Sequence, residues 1–142
     1  MAKAKEYYVR LDGSIIKSPA YRDLKSPARA LLIEFLLIFR PSRNGKLTIT
    51  SAYAMELIKS SDKVTRRAFY ELSEHGFIKL KGYQNWQRKK GREFALTFHK
   101  INDHEPTNDY LKWGEGKNMD ETFNRPKELQ VNSVNKNQST PP

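Results

Sequence analysis

Between Ser60 and Ile78 the chain reads as a capped helix that stops at a glycine and runs directly into a strand. Ser60-Ser61-Asp62 supplies the helix start, because short polar side chains accept hydrogen bonds from the free amides of a first turn. Val64, Ala68, Phe69 and Leu72 recur at three- and four-residue spacing and predict one buried stripe. Lys63, Arg66, Arg67 and Tyr70 then fall on the opposite, solvated side. Gly76 is the stop, and Phe77-Ile78-Lys79-Leu80-Lys81 alternates as a half-buried strand.

The neighbouring segments build outward from that unit. Ser18-Pro19 opens a short helix through Leu24, with Ser18 as cap and Pro19 in the first helical position. Ser26-Pro27 repeats the device and opens the most apolar helix, whose stripe is Ala28, Leu31, Leu32, Phe35, Leu36 and Phe39 and which Pro41 ends. Ala30, Ile33 and Leu37 form a second stripe beside the first, so this helix must be covered on both sides. Two covers fit: Ile15, Ile16, Tyr21 and Leu24 of the N-terminal segment, or a protein partner, including a second copy of the chain.

Glu6 to Leu11 reads as a short strand or extended arm closed by an Asp12-Gly13 turn. After an Asn44-Gly45 turn, Lys46 to Ile49 reads as a short strand, and Thr50 or Ser51 caps a helix over Ala52 to Lys59. Gly82 to Arg92 reads as a loop carrying four cations in five positions, Arg88, Lys89, Lys90 and Arg92. Phe94, Leu96 and Phe98 then share one face of a second strand, which makes a hairpin with the first. Trp86 in the loop stacks on a nucleotide or folds back as the loop's anchor. The fold class is therefore mainly α with a small antiparallel β-hairpin wing, a winged helix-turn-helix. The organisation is 1–25 as arm and short helix, 26–113 as the domain and 114–142 as a disordered polar tail, with Tyr110, Leu111 and Trp113 docking back.

Charge gives this layout a direction. Residues 1–100 hold 21 Lys and Arg against 9 Asp and Glu, a net +12, while residues 101–142 carry −2. A basic domain with an acidic tail favours a polyanionic partner. A short helix with a basic outer face fits a major groove, and a cationic wing follows a phosphate backbone or enters a minor groove. The expected contacts with double-stranded DNA are Ser61, Lys63, Arg66, Arg67, Tyr70, Arg88, Lys89, Lys90 and Arg92. Ser51 and Ser60 are expected to add phosphate contacts near the turn.

The 142-residue chain has no cysteine, which excludes disulfides and thiolate chemistry. His75, His99 and His104 have no partner at helical ligand spacing, no nucleophile sits with a base, and no metal, cofactor or enzymatic activity is expected. No apolar run is long enough to span a bilayer or open a secretory leader, so a cytoplasmic protein is expected.

The run Ala54-Met55-Glu56-Leu57, Ser61, Arg67-Ala68-Phe69-Tyr70-Glu71-Leu72 and Glu74-His75-Gly76-Phe77-Ile78 resembles the winged helix-turn-helix domains of GntR-like and MarR-like bacterial regulators. It differs from that pattern at Asp62, where a basic or amide residue is usual, and at Val64, where threonine is usual. Tyr8-Val9-Arg10-Leu11-Asp12-Gly13 with Lys17-Ser18-Pro19-Ala20-Tyr21 resembles small winged-helix proteins of phages and plasmids, similar to replication-initiator DNA-binding domains. The resemblance implies a transcriptional regulator or an accessory replication factor of a mobile element. The alternative is an interaction module, a phage-type inhibitor or adaptor, that reuses the fold without sequence-specific DNA binding.

Overall fold

The computed structural model describes residues 8–86 and 89–120, and for 83–86 and 89–90 the backbone alone. Among these residues the chain is mainly helical and carries one two-stranded antiparallel sheet. The helices are α1 (Gly13–Ile16), α2 (Pro19–Asp23), α3 (Ser26–Ile38), α4 (Ser51–Ile58) and α5 (Asp62–Glu74). The strands are β1 (Ile78–Trp86) and β2 (Lys89–Leu96), and single 3-10 turns cover Pro41–Arg43 and Asp109–Lys112.

Three phenylalanines join the layers. Phe35 of α3, Phe69 of α5 and Phe94 of β2 form a triangle of rings with centroids 5.6–6.0 Å apart, all fully buried. Burial of a side chain this size stabilises by about 1.5–3 kcal/mol. A second aromatic group forms where Phe77 stacks on Tyr110 at 5.3 Å and meets the edge of Tyr21 at 6.3 Å. The expected return of the chain after the hairpin therefore occurs through Tyr110 and Trp113, while Leu111 stays exposed.

Local signals explain several boundaries. Ser18 accepts a bond from the Tyr21 amide and caps α2, Thr50 does the same for α4 through Tyr53, and Ser61 for α5 through Val64. The end of α5 is a Schellman motif: the Phe77 amide donates to the Leu72 carbonyl and the Gly76 amide to the Ser73 carbonyl. Gly76 takes φ +85°, and a Cβ there would sit 2.7 Å from the backbone of Asp109 and Tyr110. His75 is buried beside it, with Nδ1 2.9 Å from the Glu71 carbonyl, Nε2 2.7 Å from Asp23 Oδ2 and its ring stacked on Trp113.

Other expectations need correction. Ser26 is not a cap but the first residue of α3, and the Glu71 carboxylate instead accepts from the Lys25 amide. Asp12-Gly13 leads into α1 rather than closing a strand, and residues 8–11 carry no strand. The second stripe of α3 is uncovered among the described residues, with Ile33 40% and Leu37 48% exposed and Ala30 exposed between turns. Ile15 and Leu24 are buried in the core without covering it.

The Lys46–Ile49 strand shrinks to a single bridge, Leu47 to Phe94, because Asn44 takes the next place on β2 with its side chain. Asn44 Oδ1 accepts from the Leu96 amide at 2.8 Å and Nδ2 donates to the Leu96 carbonyl at 3.0 Å. The stretch expected as a loop from Gly82 continues the ladder to Trp86 opposite Lys89, with Lys81 bulged between Leu80 and Gly82. The polar segment after Trp113 also has structure. The Met119 amide donates to the Glu74 carbonyl, and the buried Asp120 carboxylate accepts from the Ser73 hydroxyl and the Leu80 amide, each at 2.9 Å. Residues 121–142 of the expected tail lie outside the described residues.

Candidate nucleic-acid interface

A three-residue turn, Lys59 to Ser61, separates α4 from α5, and Lys59 absorbs the change of direction in the left-handed region at φ 54°. The axis of α5 is set by its buried arc of Thr65, Ala68, Phe69, Leu72 and Ser73. That arc is rotated from the expected one. Thr65 is fully buried and Val64, about 100° away around the helix, is 38% exposed. Both are β-branched, and tertiary packing rather than hydropathy decides between them.

The nine expected contact residues divide by environment. Ser61, Lys63 and Arg66 are exposed at the N-terminal end of α5, where the positive end of the helix dipole adds to the charge of Lys63. Arg66 is paired with Asp62 one turn back, Nε to Oδ2 3.1 Å, with both side chains about half exposed. Exposed pairs of this kind contribute about 0.3–0.5 kcal/mol, so a phosphate or base edge can displace the carboxylate. Arg67 is half-buried and lines, with Lys25, Pro27, Ala28 and Val64, a groove of about 190 Å³ between α3 and α5.

Two of the nine are corrected by the structure. Tyr70 is 3% exposed: its hydroxyl lies 3.2 Å from Glu74 Oε2 and accepts from Asn118 Nδ2 at 3.4 Å. The returning segment covers it. Arg92 lies not on a free wing but over the rings of Phe69 and Phe94, at 5.1 and 5.8 Å, and its Nη2 donates to Ser51 Oγ at 3.5 Å. It fastens the middle of β2 to α4. Of the remaining three, Lys89 and Lys90 lie on β2 opposite Trp86 and Asn85, with side chains outside the described set. Arg88 and the expected anchor role of Trp86 also lie outside it.

Ser51 and Ser60, expected as phosphate contacts, are engaged within the chain by Arg92 and the Ile58 carbonyl. Lys81, outside the expected contact set, is a further exposed cation, bulged out of the ladder between Leu80 and Gly82. Two titrations are displaced elsewhere, around a cavity of about 160 Å³ lined by Arg10, Asp12, His99 and Tyr110. Burial, with Arg10 adding to it against Asp12, holds His99 below the ordinary histidine value. Burial and then the Asp12 carboxylate raise Tyr110. Among the described residues no group of three His, Asp or Glu is placed to hold a metal ion, and no helix is long and apolar enough to cross a membrane. Comparison of the chain with family models, curated proteins and solved structures returned no match.

Proposed function

We propose that the protein is a winged helix-turn-helix protein that binds double-stranded DNA. In this reading α4 and α5 are the helix-turn-helix pair, the first two turns of α5 enter the major groove, and the β1–β2 hairpin follows the backbone or minor groove alongside. The supporting observation is the N-terminal end of α5. Lys63 and Arg66 are exposed there, on a helix whose opposite side is fixed by Ala68, Phe69 and Leu72, directly after a tight turn and before a cationic hairpin. Arg66 is suited to guanine O6 and N7, and Lys63 and Arg67 to phosphates. In this reading Tyr70, which is buried, and Arg92, whose guanidinium lies over Phe69 and Phe94, are left out of the contact set. By resemblance, the biological role is regulation of transcription or accessory replication of a mobile element.

A gel shift over a salt titration tests the reading. Binding is expected to weaken linearly in log–log form as salt rises, with a slope near −0.9 per phosphate neutralised. Absence of duplex binding at low ionic strength would overturn it. Selection from a random duplex library then reads specificity and symmetry.

One observation favours a second reading. Ala30, Ile33 and Leu37 leave an apolar stripe on α3 open to solvent, as an interaction module or a homodimer requires. Light scattering after size exclusion, run beside the gel shift, separates the two.

A further inference from the structure

The 21 residues between Glu34 and Glu56 contain no acid and three cations, Arg40, Arg43 and Lys46. The fold gives this stretch an inside and an outside. Leu47 and Ile49 are buried at the β2 edge, so Lys46, Thr48 and Thr50 alternate to the other side. The turn Pro41–Arg43 returns the chain so that Arg43, Lys46 and Thr48 line one cavity of about 320 Å³, with Ile38 and Leu47 as its apolar wall. No carboxylate lines it. Among the described residues the side chains of Arg43 and Lys46 have no ion-pair or hydrogen-bond partner. The Thr48 hydroxyl oxygen is buried and has no hydrogen-bond partner either. Such a group is costly unless something accepts its proton.

We infer that this cavity is an oxyanion site that takes a phosphate group. Arg43 and Lys46 supply the charge, the Thr48 hydroxyl, sealed from solvent in its present rotamer, turns about χ1 to donate to one anion oxygen, and Ile38 and Leu47 thin the water on the far side, where charge interactions strengthen. The site lies on the Leu47 edge of the sheet, apart from the exposed end of α5, and does not depend on α5 reading DNA. Two sources present the same chemistry: a phosphate of a duplex backbone, or a free phosphate or phosphomonoester.

The test is amide-resolved NMR of the full chain titrated with inorganic phosphate, against chloride at matched ionic strength. Saturable shifts are expected at Lys46, Leu47 and Thr48 with phosphate and not with chloride. Arg43→Gln with Lys46→Gln should abolish saturation, and Thr48→Val should weaken it at least threefold. Both cations are surface residues, so the double variant retains its fold even if Thr48→Val does not. A random-sequence duplex forms the second arm. Loss of duplex affinity in the double variant, with a salt slope shallower by about two units, identifies the backbone as the source even if free phosphate fails to saturate. Unchanged duplex binding with lost phosphate binding identifies a free phosphate ligand. Saturable phosphate binding in a chain that binds no duplex would remove the DNA reading and keep this site. Phosphate shifts no different from chloride, together with unaltered duplex binding in the double variant, overturn it.

Discussion

The two ends of α5 are built for different work. From Ser61 to Arg66 the helix presents a cap, an exposed lysine and an arginine held only by a surface pair with Asp62. From Ala68 to His75 the same helix is enclosed on almost every side: Phe69 by Phe35 and Phe94, Glu71 by the Lys25 amide, Tyr70 by Asn118, Ser73 by Asp120, and His75 by Asp23 and Trp113. The contrast shows how a basic helix is made rigid without spending its charged end on the scaffold. Segments distant in sequence, α2 before it and residues 109–120 after it, grip the C-terminal half and leave the other half open to solvent.

Gly76→Ala attacks the gripped end most severely. The added Cβ meets the Asp109–Tyr110 backbone at 2.7 Å while φ stays positive, so a loss of about 3 kcal/mol or more is expected in thermal or urea unfolding. A wild-type melting curve would show that residues 109–112 do not pack as described. Asp120→Ala comes next. It leaves the buried Ser73 hydroxyl and the Leu80 amide without their acceptor, an expected cost of about 1–3 kcal/mol by urea denaturation. A loss below 0.5 kcal/mol would put the segment outside the cooperative unit. Arg66→Ala addresses the open end and should change stability least, by no more than about 0.5 kcal/mol. In library selection it should relax preference at one base pair, whereas Lys63→Ala should weaken all duplexes alike. Equal effects of both variants on specific and random DNA would break that division.

Much of this helix was legible beforehand. Ser61 as cap, Ala68, Phe69 and Leu72 as core, Gly76 as stop and the strand after it all follow from short-range rules. The hairpin and the apolar α3 were legible for the same reason. The contact set was less so. Tyr70 sits on the expected outer side of the helix, and nothing within a few residues announces that Asn118 will cover it. Arg92 belongs to a cationic run, yet a guanidinium also stacks on aromatic rings, and Phe69 lies 23 positions away. Asn44 reads as a turn residue, and its amide instead completes the ladder at Leu96.

What the chain determined by itself was therefore local: where helices start and stop, which positions alternate, and a basic net charge. These depend on interactions over three or four residues, which any window of the sequence displays. Only the tertiary structure decided which polar residues are enclosed and which remain open. Burial of Ser73, Asn44 and Asp120 is tolerable only when a partner 40 to 52 positions away satisfies each one, and that pairing exists only once the whole chain has closed.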